Sequence, residues 1–192
     1  MHFIYNLLIG LANLILPLLG IFSKKINDFV QGRKSTIEKI KETFNTQDKI
    51  IWIHSSSLGE FEQGSPIISE IKKKLKEYKI LVTFFSPSGY NAKKKSKEVD
   101  LITYLPVDSR KNVKTFLDAF HPKLVILIKY EFWPNYLIEL EKRNITVISA
   151  SSIFRPSQFL FKSIFKNYQN ILSTINHFFV QNETSKSLLS SI

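Results

Sequence analysis

The stretch KIIWIHSSSLGEFEQGSPIISEIKKKLKEYKILVTFFSPSG, residues 49–89, decides the fold. It opens on a short apolar run, Lys49–His54, and breaks at three serines. It continues at helix length as an amphipathic segment over Glu60–Lys76 and returns to a second apolar run, Lys79–Phe85. Both runs are rich in Ile, Val and aromatic residues and do not alternate with polar ones, as expected of strands covered on both faces. A strand, a helix and a second strand in direct succession make a βαβ unit, and hence a parallel pair.

The same alternation continues downstream. Leu101–Leu105, Lys123–Ile128, Ile145–Ser149 and His177–Val180 read as further strands, with helix-length segments at Ser88–Lys97, Arg110–Phe120, Pro134–Lys142 and Gln158–Leu172. The predicted class is therefore α/β, a Rossmann-like parallel sheet flanked by helices over residues 49–192. The last piece, Gln181–Ile192, starts another βα unit with room for two or three helical turns after Glu183, and is expected to be the point at which a longer chain is truncated.

Upstream, Phe3–Phe22 reads FIYNLLIGLANLILPLLGIF, uncharged and about as long as a bilayer-crossing helix. Asn6, Asn13 and Pro17 interrupt its apolar character, and Lys24, Lys25, Arg33 and Lys34 follow it. Residues 1–23 are thus expected to be a membrane anchor and 24–48 a basic connecting segment, with the remainder on the cytoplasmic side by the positive-inside tendency. A cleaved signal peptide would need a basic start and a small-residue cleavage site, and neither is present. An amphipathic helix lying in the interface, or one packed on the domain, is the other reading. No cysteine occurs in the 192 residues, which excludes disulfides, thiolate metal sites and a cysteine nucleophile, and His2, His54, His121 and His177 lack metal-ligand spacing. The formal charge of +11 suits an anionic surface, although Lys runs such as Lys72–Lys74 and Lys93–Lys95 also read as solvated helix faces. With no aromatic-interleaved basic motif, nucleic acid is not an expected partner.

Ligands of open parallel sheets bind beyond the carboxyl ends of the strands. Those ends carry Ser55-Ser56-Ser57-Leu58-Gly59-Glu60, Ser86-Pro87-Ser88-Gly89, Pro106-Val107-Asp108, Lys129-Tyr130-Glu131 and Ala150-Ser151-Ser152 leading to Arg155. Hydroxyls, carboxylates and an arginine therefore converge on one rim. Glu60 sits at a helix start, where a general base is well placed, but Ser57-x-x-Glu60 equally fits a capping box. A helix N-terminus also lowers a carboxylate's pKa unless burial or a neighbouring acid opposes it. Glu131 follows a wholly apolar strand; it is either functional or a partner for Lys129 or a backbone amide. Arg155 fits a carboxylate or phosphate clamp, or is a surface cation. Ser86 before Pro87 is sufficiently explained as a helix N-cap. No GxGxxG or Walker motif occurs.

Taken in order, Gly32-Arg33-Lys34, Ile51-Trp52-Ile53-His54-Ser55-Ser56-Ser57-Leu58-Gly59-Glu60, Ser86-Pro87-Ser88-Gly89, Tyr104-Leu105-Pro106-Val107-Asp108 and Glu131-Phe132-Trp133-Pro134-Asn135 behind an apolar helix resemble one family. The chain resembles the 3-deoxy-D-manno-octulosonic acid (Kdo) transferases, which add Kdo to the lipid A precursor in lipopolysaccharide synthesis. The resemblance covers nearly the whole chain. It implies the N-terminal, acceptor-side half of a two-domain GT-B glycosyltransferase at the inner membrane. It also implies a CMP-Kdo donor, a lipid IVA acceptor, inversion at the anomeric carbon, and no required metal or other cofactor. Glu60 then matches the family's general base and Glu131 its second important acid, with Ser57, Gly59, Ser86, Ser88, Gly89 and Arg155 as substrate-contacting positions. Where the family commonly has Asn-Ala-Arg, this chain has Ser149-Ala150-Ser151. The C-terminal donor-binding domain is expected to be absent and the 192 residues inactive alone. The alternatives are another membrane-associated GT-B nucleotide-sugar transferase and a non-catalytic basic membrane-peripheral remnant.

Overall fold

The computed structural model describes residues 2–158, 161 and 166–191. The chain begins with α1 (His2–Phe22), α2 (Lys24–Lys34) and α3 (Thr36–Thr43). It then alternates β1 (Lys49–Ser55), α4 (Leu58–Lys74), β2 (Tyr78–Phe84), α5 (Pro87–Lys93), β3 (Leu101–Tyr104), α6 (Arg110–Asp118), β4 (Leu124–Ile128), α7 (Pro134–Lys142), β5 (Thr146–Ser152), α8 (Lys166–Leu172), β6 (His177–Val180) and α9 (Glu183–Leu189). All six predicted strands are present in one parallel sheet of order β3-β2-β1-β4-β5-β6. The expected α/β class with helices against a parallel sheet is what the chain adopts. Of the helix expected over Gln158–Leu172, the end forms α8, and residues 159–160 and 162–165 lie outside those described.

Alternating side chains of each strand feed two cores, because successive residues point to opposite faces. On one face Ile51, Ile53, Phe84, Ile126 and Ile128 meet Phe61 and Ile68 of α4. On the other, Trp52 packs edge-on to Phe116 at a ring separation of 5.1 Å and against Tyr136 at 5.5 Å, joining α6 and α7 to the sheet. The strands are buried on both faces, as their unbroken apolar runs require, except β6. This strand has a sheet neighbour on one side only, and Phe179 in it is 56% exposed.

The basic segment after α1 is helical and fastened to the sheet. Arg33 of α2 donates to the carbonyls of Leu105 (2.8 Å), Phe29 (2.8 Å) and Phe85 (2.6 Å) and lies over the Phe29 ring. Its burial lowers the guanidinium pKa to about 10. It therefore ties α2 to the ends of β2 and β3.

Gly89 in α5 is a site of close approach. A Cβ there would lie 2.4 Å and 2.7 Å from ring carbons of the fully buried Phe84 and 3.0 Å from the Leu58 amide nitrogen. Packing within the domain is thus sufficient to require glycine. Gly89→Ala is expected to lower stability by about 1–3 kcal/mol through overpacking, read as a lower urea midpoint at unchanged m.

Candidate active site

The strand order reverses between β1 and β4, since β2 and β3 lie on one side of β1 and β4 to β6 on the other. Such a switch point leaves a crevice at the carboxyl ends of the two strands, where ligands of open α/β sheets bind. The turn after β1 carries Glu60 and the turn after β4 carries Glu131. The topology therefore brings the two sequence-predicted acids together.

Glu60 is buried in the first turn of α4, and its Oε2 accepts from the Ser56 amide at 2.5 Å. Ser57 is the N-cap, but its hydroxyl makes no capping bond. The predicted capping box is thus half formed: the glutamate takes a backbone donor just upstream, and the serine returns nothing. The Glu60 pKa is raised, first by burial and then by repulsion from Glu131. The Ser56 and Ser57 amides and Lys129 oppose the shift without cancelling it. Burial and a neighbouring acid thus override the helix-terminus effect, and a carboxylate that would be a weak base becomes a stronger one.

Glu131 is held by two groups that sequence spacing did not pair with it. Trp133 Nε1 donates to its Oε2 at 3.2 Å, and His54 Nε2 faces the same oxygen at 3.5 Å. The expected alternative partner, Lys129, acts on Glu60 instead. His54 is fully buried, with Nδ1 2.9 Å from Thr83 Oγ1, which in turn accepts from Trp52 Nε1 at 2.8 Å. A polar chain thus runs from the core under β1 to the Glu131 carboxylate. Among the described residues, two buried side-chain atoms lack a hydrogen-bond partner, His54 Nε2 and Ser55 Oγ. Both sit at the end of β1, on the rim that carries the two acids, where a ligand group or water can pair with them.

Two of the four described non-glycine residues with positive φ lie on the same rim, and the other two, His121 and Asn144, precede β4 and β5 at the opposite end of the sheet. Lys129 and Ser151, at the ends of β4 and β5, have φ of 65° and 60°, in the left-handed region that costs a non-glycine residue. The Lys129 carbonyl is held by the hydroxyls of Ser149 (3.0 Å) and Ser152 (2.6 Å), which stabilises the turn ahead of Glu131. Ser151 Oγ donates to Gln63 Oε1 at 3.3 Å and accepts from Gln181 Nε2 at 2.9 Å, so the departure from Asn-Ala-Arg places a polar bridge from α4 to β6's end.

The other predicted residues divide. Ser86 caps α5, accepting from the Ser88 amide at 3.2 Å, and its own amide donates to the Ser56 carbonyl at 2.9 Å, so the second serine turn abuts the first. Gly59 is exposed, has no positive φ, and a Cβ there would meet nothing within 4 Å. Nothing among the described residues explains a glycine at that place, one residue before Glu60. Arg155 is exposed in the turn after β5, with its backbone bonded to Gln158. It lies on the rim, and among the described residues it makes no contact that joins it to the two acids.

The sequence model of a family described as 3-Deoxy-D-manno-octulosonic-acid transferase (kdotransferase) matches residues 31–192. Among individual proteins, a 3-deoxy-D-manno-octulosonic acid transferase of Aquifex aeolicus is 37% identical over 99 residues, covering 51% of this chain and 27% of that protein. One of Rickettsia bellii is 32% identical over 155 residues, covering 72% of this chain and 37% of that protein. A bifunctional glycosyltransferase/methyltransferase of Fusobacterium nucleatum is 29% identical over 194 residues, covering 98% of this chain and 29% of that protein. The chain spans about a third of the length of the curated relatives it matches. The extent of the family match places this chain in the Kdo transferase family.

Proposed function

From that membership, we propose that this chain is the acceptor-side half of an inverting glycosyltransferase that moves Kdo from CMP-Kdo to lipid IVA during lipopolysaccharide synthesis. The observation that carries the mechanism is a buried Glu60 whose pKa is raised, at the switch point, next to an open approach over Gly59. Glu60 takes the proton from an acceptor sugar hydroxyl as that oxygen attacks the anomeric carbon of Kdo. The new glycosidic C–O bond forms as the bond to the CMP phosphate breaks, and CMP leaves with the electron pair. Glu131, held by the Trp133 indole N–H and faced by His54, assists at the transition state. By the resemblance the CMP pocket belongs to a C-terminal half, so the 192 residues alone are expected to give no product. The apolar α1 and the net positive charge support an inner-membrane location with the sheet on the cytoplasmic side.

The test is an assay of the native gene product with lipid IVA and CMP-Kdo, beside other nucleotide sugars. A Kdo-lipid IVA product formed from CMP-Kdo alone is expected. Its absence, or equal transfer from another donor, overturns the substrate assignment.

Gly59→Ala separates a ligand role from a packing role. With open space around the site and helical backbone, the variant is expected to be as stable as the parent or up to ~1 kcal/mol more so. Kdo transfer is expected to fall at least tenfold, mainly as a higher KM for the lipid acceptor. An unchanged KM removes Gly59 from the acceptor surface.

A further inference from the structure

The polar side chains of α1 fall on one helical stripe. Tyr5, Asn6 and Asn13 are half-buried and Gly20 is buried, whereas Phe3, Ile4, Leu7, Leu11, Leu14 and Leu18 point away and are between 46% and 79% exposed. The stripe is fastened at both ends. Tyr5 donates to Asp108 Oδ2 at 2.7 Å and Asn135 Nδ2 donates to Asn6 Oδ1 at 2.9 Å, while Gly20 lies so close to α2 that a Cβ would sit 3.3 Å from Asn27 Cα. The start of the helix is therefore fastened to the turn after β3 and to α7, and its end to α2.

Exposed cations border it. Arg110, Lys111, Lys114 and Lys142 share a cleft with His2 at its start, and Lys34 and Lys111 share another with Asn13 and Pro17. Lys24 and Lys25 follow its end. A docked α1 that crossed a bilayer would carry Arg110 and Lys142 into hydrocarbon, where each charge is expensive. An undocked one would place Asn6 and Asn13 in lipid and strip the buried Asp108 of its Tyr5 partner. Cations at both ends and along one side match a plane of anionic headgroups instead.

We infer that α1 is an in-plane anchor. It stays docked on the domain and sinks only its outward apolar face into the acyl boundary of an anionic leaflet, with Arg110, Lys111, Lys114 and Lys142 among the lipid phosphates. The sheet's carboxyl rim, which holds Asp108 under α1, is then fixed close to the bilayer surface. This inference rests on α1 being the membrane anchor and is independent of the catalytic reading.

The test uses the native gene product in cells, with a short neutral epitope ahead of Met1. External protease on intact spheroplasts is expected to leave the epitope whole, and to remove it after lysis. In parallel, single cysteines along α1 carry a nitroxide; these 192 residues contain no other cysteine, and any elsewhere in the gene product is first replaced by serine. Oxygen collision rates in the membrane-bound protein are expected to rise and fall with a period of about 3.6 residues, high at Phe3, Leu7, Leu11, Leu14 and Leu18 and low at Tyr5, Asn6 and Asn13. Epitope loss from intact spheroplasts, or one smooth maximum near Leu11, means a spanning helix and overturns the in-plane anchor while leaving anchoring intact. Recovery of the protein in the soluble fraction, or a homodimer cross-linked through Leu11→Cys, overturns both.

Discussion

Replacing Glu60 by Gln in the native gene product is expected to lower Kdo transfer by roughly 10²–10⁴-fold, the usual loss when a positioned general base is removed. The side chain keeps its volume and its carbonyl oxygen still accepts from the Ser56 amide, so the start of α4 stays capped. Far-UV circular dichroism and the urea midpoint are expected to remain near those of the parent. The loss should appear in kcat, because a base acts in the transition state and not in holding the ground-state acceptor. A merely capping glutamate gives the opposite pattern, with activity preserved and stability reduced when Glu60→Ala removes the bond.

The largest effect on stability is expected at Asp108. Its carboxylate accepts from the Tyr5 hydroxyl and from the amides of Asn135 (3.1 Å) and Tyr136 (3.0 Å), and Asn135 Nδ2 donates to its carbonyl at 2.6 Å. It therefore clasps α1, the turn after β3 and the start of α7. Asp108→Ala leaves buried donors unpaired and is expected to cost roughly 3–5 kcal/mol, a large share of a domain's total stability. Burial raises the folded-state pKa from its ordinary 3.8 to about 6, against the pull of those hydrogen bonds. Between those values the folded state binds the proton that the unfolded state has already released. The contribution of Asp108 to stability thus falls as pH rises from about 4 to 6, by about 3 kcal/mol. Urea unfolding of the parent and of Asp108→Asn, whose amide does not titrate, is expected to show their stability gap moving toward the variant by that amount between pH 4 and pH 7. A pH-independent gap contradicts it.

The sheet was legible in the sequence because burial on both faces writes strands as unbroken apolar runs. Runs such as Lys123–Ile128 admit few other readings, and the strands and helices fall close to their predicted bounds. The apolar run His177–Val180 reads as a buried strand, yet β6 is partly exposed; the other edge strand, β3, is buried because α2, α3 and α5 cover it, whereas β6 packs against α9. For the site, the rim rule found Glu60 and Glu131, since both follow strands that end in polar turns. It could not show that Trp133 bonds Glu131 and that His54, not Lys129, faces it, because His54 comes from a strand far away in the chain. The available signal was a histidine closing an otherwise apolar strand. Nor did spacing show that Asn6 belongs with Asn135 and Tyr5 with Asp108. What looked like interruptions of an apolar helix are the groups by which it docks.

The most direct measurement is the pH dependence of kcat/KM for the lipid acceptor in the native gene product. A general base must be ionised, and burial together with Glu131 raises the Glu60 pKa. The rate is therefore expected to fall with decreasing pH along an acid limb centred above the ordinary carboxylate range, and Glu60→Gln is expected to abolish that limb in the residual activity. A parent profile that is flat through the weakly acid range, or an acid limb that survives unchanged in Glu60→Gln, contradicts Glu60 as the base.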